Sequence, residues 1–276
     1  MGSLQVLSNI PGLVAQNQLS VTQQALQNTL FQLSSGSRIN SGADDAAGLA
    51  IANGLQANIT ALTQSVSNAN DGVGALQVAD GALGQVTTLL NRAITLGTEA
   101  ATGTVSDTQR EAINTEYQSI LAEINSIGSN TSFNGAPVFA TASTSIFLSD
   151  STTTGTTTIA VSTGTLSASG TGGLGLSGNM LTQAAAQTEL GNINAAIATV
   201  AGTRGTIGAG INRLQAASNV LNNEIQNLTT AETGITAADI PTVVANLSKY
   251  SILEQTGISA LAQANSQQQL VLNLLH

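Results

Sequence analysis

The amino-acid sequence predicts a mainly α-helical fold, in which long helices form an antiparallel coiled-coil rod with a small β-hairpin region. Two observations predict the rod. Apolar residues recur every seven positions through residues 43–101, and the same repeat returns in residues 181–232. A third observation predicts the hairpins, because residues 129–178 are rich in Ser, Thr and Gly and contain short β-prone runs.

Residues 43–101 carry the longest heptad pattern. One series consists of Leu55, Leu62, Ala69, Leu76, Leu83 and Leu90, and a second is apolar except at Asp80 and Thr87. A strict seven-residue apolar repeat favours helices that supercoil against a partner. The series keeps its phase across Asn70-Asp71-Gly72, a sequence that ordinarily indicates a turn. We therefore predict one continuous helix, with two helices joined near residue 72 as the alternative.

Two further segments supply partners for this helix. Residues 107–128 carry an apolar stripe, and Ser106 with Gln109 forms a capping box at its start. Residues 181–232 keep their heptads in phase although Arg204 interrupts one series. Burial of all three stripes predicts a three-helix rod in which residues 181–232 return antiparallel to residues 43–101. Its predicted core residues are Leu55, Leu62, Leu76, Leu83, Leu90, Ile120, Ile197, Val200, Leu214 and Leu221.

The sequence predicts three regions. The rod comprises residues 43–139 and 179–232, and residues 140–178 form a short β and loop outer segment. Asn134-Gly135 is a hairpin turn signal, and Ser145–Leu148 and Thr156–Val161 are β-prone. The Ser, Thr and Gly of the outer segment suit a solvated loop better than a core. A disordered low-complexity loop is the alternative reading of this segment.

The third region comprises the two termini, residues 1–42 and 233–276. We expect one helix to begin at Leu13 and another at Pro241, with linkers at residues 38–42 and 233–238 that join them to the rod. Single helices bury too little apolar surface to be stable alone, so both should be marginal in a monomer. The apolar residues predicted to hold them in an assembly are Leu19, Leu26, Leu30, Leu33, Val244, Leu247, Ile258, Leu261, Leu272 and Leu275.

The composition narrows the classes of function. Fifteen acidic and six basic residues give a net charge of −9, which disfavours a nucleic-acid partner and gives no support for membrane binding. Charged residues make up only 8% of the chain, which suits surfaces that pack against copies of themselves because little charge is desolvated. No transmembrane run and no signal peptide are visible.

The sequence gives no support for catalysis, a cofactor or a metal site. Cysteine is absent, and the single histidine is His276. Asp44 and Asp45 could form a carboxylate pair, but acids are favoured in the first turn of a helix by its dipole, and we expect that role for them. We therefore expect a protein that is not an enzyme.

Several motifs resemble bacterial flagellin, in the same order along the chain. Near the start these are Leu33-Ser34-Ser35-Gly36, Arg38-Ile39-Asn40-Ser41 and Asp44-Asp45-Ala46-Ala47-Gly48. Near the end they are Leu261-Ala262-Gln263-Ala264-Asn265 and Leu272-Asn273-Leu274-Leu275. The resemblance covers residues 1–139 and 182–276, while the middle does not match and is too short for large outer domains.

The resemblance implies a secreted structural protein, the self-assembling subunit of the bacterial flagellar filament used in motility. It implies that the terminal helices form a coiled coil in the filament core, so that the ten terminal residues named above lie at subunit interfaces. The implied partners are further copies of the chain, an export chaperone, the type III export apparatus, the filament cap and hook-associated proteins. Two alternatives remain: a hook–filament junction protein of the same superfamily, and a generic coiled-coil interaction module.

The resemblance also implies a contact with an innate Toll-like receptor. In flagellins this receptor reads a Leu-Gln-Arg run, which corresponds here to Leu90, Asn91 and Arg92. Leu90 is also a heptad position, for which packing in the core is the more common role. The charged residues that follow the run in the family are replaced by Ile94 and Thr95, so we expect weak recognition, carried by an exposed Arg92.

Overall fold

The computed structural model describes residues 9–149, 157–170 and 172–274, with side chains up to residue 270. Its helices and strands, in chain order, are α1 (Ile10–Ser35), α2 (Ala46–Ala100), α3 (Asp107–Asn130), β1 (Ser132–Phe133), β2 (Ala136–Pro137), β3 (Thr144–Phe147), β4 (Thr158–Val161), α4 (Gln183–Thr236) and α5 (Ile240–Leu274). The prediction of a mainly α fold with small β-hairpins is confirmed.

The chain divides into two compact units. The terminal unit comprises Met1–Ala57 and Leu228–His276, and the central unit comprises Asn58–Asn227. The divisions fall inside α2 and α4. The three regions predicted from the sequence, with an outer segment at residues 140–178, stay a prediction.

In the central unit α2 and α4 pack antiparallel. Gly97 lies against Leu190, the Asp80 carboxylate accepts a hydrogen bond from Arg204 at 2.7 Å, and Gly210 lies against Leu76. Residue numbers thus fall on one helix as they rise on the other. The helix α2 runs unbroken through Asn70-Asp71-Gly72, so the single-helix prediction is confirmed and the alternative of two helices is wrong.

The third helix of the central unit, α3, begins with the predicted capping box. Ser106 Oγ accepts a hydrogen bond from the Gln109 backbone N–H, and Gln109 Oε1 accepts one from the Ser106 backbone N–H at 2.9 Å. The stripe of α3 is buried, with Tyr117 and Ile124 fully inaccessible to solvent. The helix continues two residues beyond the predicted stripe of residues 107–128, to Asn130. A side chain at Gly128 would overlap the Leu166 carbonyl, so close approach is what requires glycine there.

Two hairpins follow α3. The first is β1–β2, closed by Asn134 and Gly135 with φ of 50° and 79°, the left-handed conformations that a two-residue hairpin turn requires. The second pairs β3 with β4 antiparallel, with Ile146 opposite Ile159. Ile146, Ile159 and Val161 are buried. The predicted β-prone runs therefore form one hairpin with its apolar face inward.

The segment between β4 and α4 differs from the expected solvated loop. Leu166, Leu174 and Leu176 are buried although the residues around them are Ser, Thr and Gly. The expectation was wrong here because it judged the segment by its average composition, whereas a few apolar side chains suffice when a neighbouring helix covers them.

In the terminal unit α1 and α5 pack antiparallel. Asn9 Nδ2 donates to Asn265 Oδ1 at 2.9 Å, and Gln23 Nε2 donates to Glu254 Oε1 at 3.3 Å. Helix α1 begins at Ile10, three residues before the expected start. Asn9 caps it by accepting a hydrogen bond from the Gly12 N–H, and Pro11 occupies the first turn, where its missing N–H costs nothing.

The two connections in the terminal unit differ from the predicted linkers: residues 36–45 separate α1 from α2, more than the predicted 38–42, whereas the second connection is shorter than the predicted 233–238. Helix α4 continues to Thr236, so residues 237–239 alone precede α5. The Arg38 N–H donates to the Thr236 carbonyl at 2.7 Å, and the Ala238 N–H donates to the Gly36 carbonyl at 3.0 Å. The two connections therefore lie side by side and are hydrogen-bonded to each other.

Candidate assembly surface

The seam between α1 and α5 holds few large buried side chains. Thr22 and Thr29 are its buried residues in the middle of α1, and each hydroxyl donates to the carbonyl four residues earlier at 2.8 Å. On the opposite helix Gly257 lies against Leu19. Small and polar residues thus occupy positions that would hold leucine in a strongly packed coiled coil.

Most of the large apolar residues of these two helices are instead exposed. Val21 is 60% exposed and Phe31 66%, and on α5 Ile252 is 64% exposed. The others are Ile10, Leu13, Val14, Leu30, Ile240, Val244, Leu253, Ile258 and Leu270. We call this set of twelve the terminal apolar surface. Monomeric soluble proteins seldom expose large apolar patches, and those that do use them for binding.

The terminal apolar surface carries almost no charge. The sequence of α1 contains no charged residue, and that of α5 contains only Lys249 and Glu254. Glu254 accepts the hydrogen bond from Gln23 described above. Because burial of an unpaired charge is costly, a surface with so few charges loses little on being covered.

A groove of about 460 Å³ opens at one end of this surface. It is lined by Ile10, Leu13 and Leu261 together with Asn9, Gly12, Gln16 and Asn265. Its apolar residues lie beside amide groups that both donate and accept hydrogen bonds. The groove therefore offers both apolar contact and hydrogen-bonding groups.

The residues predicted for the interface divide into two groups. Leu30, Val244 and Ile258 belong to the terminal apolar surface, whereas Leu19, Leu26, Leu33, Leu247 and Leu261 are half-buried. Leu275 and the side chain of Leu272 lie outside the described residues. The sequence reasoning missed Val14, Val21 and Phe31. The seven-residue interval between Val14 and Val21 is the sequence signal that identifies two of them.

The predicted core residues lie in the helices of both units. Leu62, Leu76, Leu83, Leu90, Ile120, Val200, Leu214 and Leu221 are buried, and Leu55 and Ile197 are half-buried. Arg204, which interrupts a heptad series, forms an ion pair with Asp80, one of the two residues that interrupt a series of the other helix. Both side chains are about 40% exposed. The two charged residues that interrupt the heptads of α2 and α4 thus neutralise each other.

The run considered for receptor contact is only partly accessible. Leu90 is fully buried, so it offers no surface to a partner. Asn91 is exposed, and the Arg92 side chain is 54% exposed. Arg92 Nε donates to Glu116 Oε1 at 2.7 Å, and this hydrogen bond lowers the pKa of the Glu116 carboxyl.

Asp44 and Asp45 act as backbone caps. Asp44 Oδ2 accepts hydrogen bonds from the Asn40 and Ser41 N–H groups at 3.1 and 2.9 Å, and the first of these bonds is the main cause of a lowered pKa. Asp45 Oδ1 accepts from the Gly48 N–H at 2.8 Å, so Asp45 precedes α2 rather than lying in its first turn. Within the described residues no three His, Cys, Asp or Glu side chains cluster as a metal site.

The fold therefore defines a class: a structural protein of long paired helices with an uncharged apolar surface on its terminal helices. Across the described ranges, no helix combines the length and the apolarity that crossing a bilayer requires. Comparison with known proteins places the chain within this class. The family model described as "Bacterial flagellin N-terminal helical region" matches residues 6–144, and "Bacterial flagellin C-terminal helical region" matches residues 190–275.

Relatives of similar length support the match. A flagellin of Halalkalibacterium halodurans is 32% identical over 275 residues, with 97% of this chain and 98% of that protein covered. The "Flagellar filament 30.7 kDa core protein" of Treponema maltophilum is 30% identical, with the same coverage. The chain belongs to the bacterial flagellin family, whose members are structural subunits of the extracellular flagellar filament and not enzymes.

Two further comparisons mark the limits of the likeness. A flagellin of Escherichia coli O127:H6 is 44% identical over 133 residues, but the match spans only 24% of that protein's length and 48% of this chain. The structure of a putative flagellar hook-associated protein from Vibrio parahaemolyticus is 17% identical with a TM-score of 0.57, and it covers 70% of this chain and 100% of that one. At that identity it shares a fold with this chain and nothing more follows.

Proposed function

We propose that this chain polymerises with copies of itself into a flagellar filament, and that the terminal apolar surface is the contact between subunits. The observation that carries the proposal is the pairing of many exposed apolar residues with an absence of charge in the α1 sequence. Burial of apolar area provides a driving force of about 25 cal/mol per Å². Few charged groups oppose it, because α1 contains none and α5 contains only Lys249 and Glu254 that must lose their hydration.

A pair of matched variants tests this proposal. Val21 in α1 and Val220 in α4 are 60% and 63% exposed, so aspartate at either position alters a solvated helix surface to a similar degree. We expect Val21→Asp to prevent assembly of the purified chain, because assembly would bury the new charge. Val220→Asp should assemble normally. Sedimentation and electron microscopy would measure both.

Two outcomes would contradict the proposal. Normal filaments from Val21→Asp would show that α1 does not form the contact. Equal loss of assembly in both variants would show that the contact is not confined to the terminal helices. Circular dichroism of each soluble variant shows whether the helices remain formed.

We propose that the further partners bind the same terminal apolar surface. An export chaperone would cover the exposed apolar residues of α5, among them Ile252 and Ile258, before the chain is delivered to the type III export apparatus. The filament cap and hook-associated proteins would meet the same terminal helices at the two ends of the filament. Binding of a purified chaperone to the monomer, weakened by Ile258→Asp and unchanged by Val220→Asp, would support this arrangement.

Recognition by a Toll-like receptor is a separate proposal, favoured by the exposure of Arg92. Its ion pair with Glu116 holds the guanidinium on the surface of α2 and α3. An exposed arginine at an interface centre can contribute about 2 kcal/mol or more. We expect Arg92→Ala to weaken binding of the monomer to the receptor ectodomain, and Ile94→Arg with Thr95→Glu to strengthen it. Strong binding that ignores Arg92 would refute the assignment.

A further inference from the structure

A cavity of about 110 Å³ lies in the central unit, between α2 and the two hairpins. Helix α2 supplies one wall through Gly72, Ala75 and Leu76. The hairpin β1–β2 supplies a second wall, and the hairpin β3–β4 supplies a third through Ile146 and Val161. The cavity is therefore enclosed by three parts of the chain that are separate in sequence.

Two glycines of α2 set how closely the hairpins approach the helix. A methyl group at Gly72 would overlap the end of the Ile146 side chain, and one at Gly74 would lie 3.4 Å from the Phe133 ring. Both hairpins thus pack against the helix backbone beside the cavity. Leu76 and Ile146 are only 5% and 8% exposed, so close packing holds these walls in place.

The lining of the cavity is apolar. It contains no charged side chain, and its two polar side chains are Thr144 and Thr163. The Thr163 hydroxyl donates a hydrogen bond to the Val138 carbonyl at 2.5 Å. A buried water molecule needs about two to four polar partners, and this lining offers few. The cavity therefore favours an apolar molecule over water.

The size of the cavity suits a small apolar molecule. An apolar cavity of about 150 Å³ stays dry and binds benzene or xenon, and this one is slightly smaller at about 110 Å³. Ala136, Pro137 and Thr144 also line it and are exposed, so the cavity reaches solvent between the two hairpins. A ligand can therefore enter without unfolding a helix, and a larger one has room towards the mouth.

We propose that this cavity is a binding site for a small, uncharged apolar molecule, of the size of one benzene ring or a short alkyl group. Binding supplies the van der Waals contacts that the lining atoms lack, and it removes apolar surface from water. A charged molecule is excluded, because the lining holds no opposite charge to pair with it. The site lies wholly within the central unit, so the inference does not depend on whether the chain polymerises.

Titration of the full-length monomer with benzene and with xenon, followed by methyl NMR, tests the proposal. We expect saturable shifts in the methyl signals of Leu76, Ile146 and Val161, which line the cavity. Ile193, which is buried elsewhere in the core, should show no comparable shift. Benzoate has the same ring with a negative charge, and it should cause none of these shifts.

Two alanines one heptad apart on α2 provide matched variants. Ala75 and Ala82 are both half-buried, but Ala75 lines the cavity and Ala82 does not. Ala75→Leu places a larger side chain in the cavity and should abolish saturable binding of benzene, whereas Ala82→Leu should bind it as the wild type does. If Ala75→Leu fails to fold, Ala136→Leu fills the same space from the exposed strand β2 and should give the same loss.

Three results would overturn the proposal. Absence of saturable shifts with both benzene and xenon would show that the cavity is not a binding site. Shifts of wild-type size in the variants with a filled cavity would place the bound molecule elsewhere. Binding of benzoate as tight as that of benzene would show that the lining does not select uncharged molecules.

Discussion

The two units of the molecule use apolar residues in opposite ways. In the central unit Leu83, Leu90 and Leu214 are at most 2% exposed, and their helices enclose a continuous core. In the terminal unit the buried positions of α1 are Gly12, Thr22 and Thr29, while Val21 and Phe31 face solvent. The central unit buries its large apolar side chains within itself, whereas the terminal unit leaves most of them exposed.

The difference teaches that heptad periodicity alone does not reveal which surface a helix buries within its own chain. Both units contain long helices with repeating apolar residues. The two units differ in the side chains that they bury. The central unit buries leucines, whereas α1 buries glycine and threonine and exposes most of its large apolar residues.

Deletion of Thr256–His276 should abolish polymerisation and leave the central unit folded. The deletion removes Ile258 and Leu270 of the terminal apolar surface and no residue of the central unit. Sedimentation would measure assembly, and circular dichroism would measure the remaining helix. Filaments of normal yield from the shortened chain would show that the exposed apolar residues of the terminal unit removed here are not needed for assembly.

Alanine at equivalent leucines should affect the two units unequally. Leu90→Ala leaves a cavity in the central core and should cost about 3 kcal/mol of unfolding free energy, within the usual range for such changes. Leu26→Ala, at a half-buried position of the terminal seam, should cost the monomer about 1 kcal/mol or less. Urea unfolding of the two variants would measure both values. Equal losses would show that the terminal seam is packed as strongly as the core.

Tyr117→Phe should cost about 1–3 kcal/mol, because it leaves the buried Glu189 carboxylate without one of its donors. Burial, and secondarily the bond to Glu189, raise the pKa of Tyr117 above its usual value near 10. The folded chain then holds a proton that the unfolded chain releases at high pH. The stabilisation is complete below about pH 10 and is lost as the pH rises above it.

A comparison of unfolding free energies between pH 8 and pH 11 checks this sign. The wild type should lose more stability than Tyr117→Phe over that interval, because other groups titrate alike in both. A loss of the same size in the two proteins would show that the Tyr117 hydroxyl is not shielded in the folded state.

The smallest effect is expected for the ion pair between Asp80 and Arg204. Both side chains are partly solvated, so a double-mutant cycle with Asp80→Asn and Arg204→Gln should give a coupling of about 0.5 kcal/mol. The hydrogen bond from Arg204 lowers the pKa of Asp80, so the coupling should be present at neutral pH and fade as the carboxylate is protonated in acid. High salt should weaken it, and a coupling above about 2 kcal/mol would contradict solvent screening.

Much of the central unit could be predicted from the sequence, because its signals are local and repeated. The heptads of α2 and α4 identify the buried face every seven residues, and the capping box fixes the start of α3. The burial of leucines between β4 and α4 could not be predicted in this way. Leu166, Leu174 and Leu176 have no regular spacing, and their burial depends on amides of α3 far earlier in the chain, as with Asn125 and Ala168, which are 43 residues apart.

In the terminal unit the sequence predicts the helices but not which of their faces is buried. The helices and their apolar character follow from sequence, but the choice between seam and surface depends on three-dimensional pairing. Helical spacing predicts the same role for Leu19, Leu26 and Leu30, yet Leu30 is exposed and the other two are half-buried. Only the position of α5 separates them.

The hydrogen bonds between the two connections have a mechanical consequence. Arg38 with Thr236 and Gly36 with Ala238 tie the entry to α5 to the exit from α1. Two connecting segments that are hydrogen-bonded to each other resist twisting about either one, so a torque applied to α1 is transmitted to α5. In the assembly proposed above, an approaching copy of the chain would therefore meet α1 and α5 as one body, and docking would require a single orientational search instead of two.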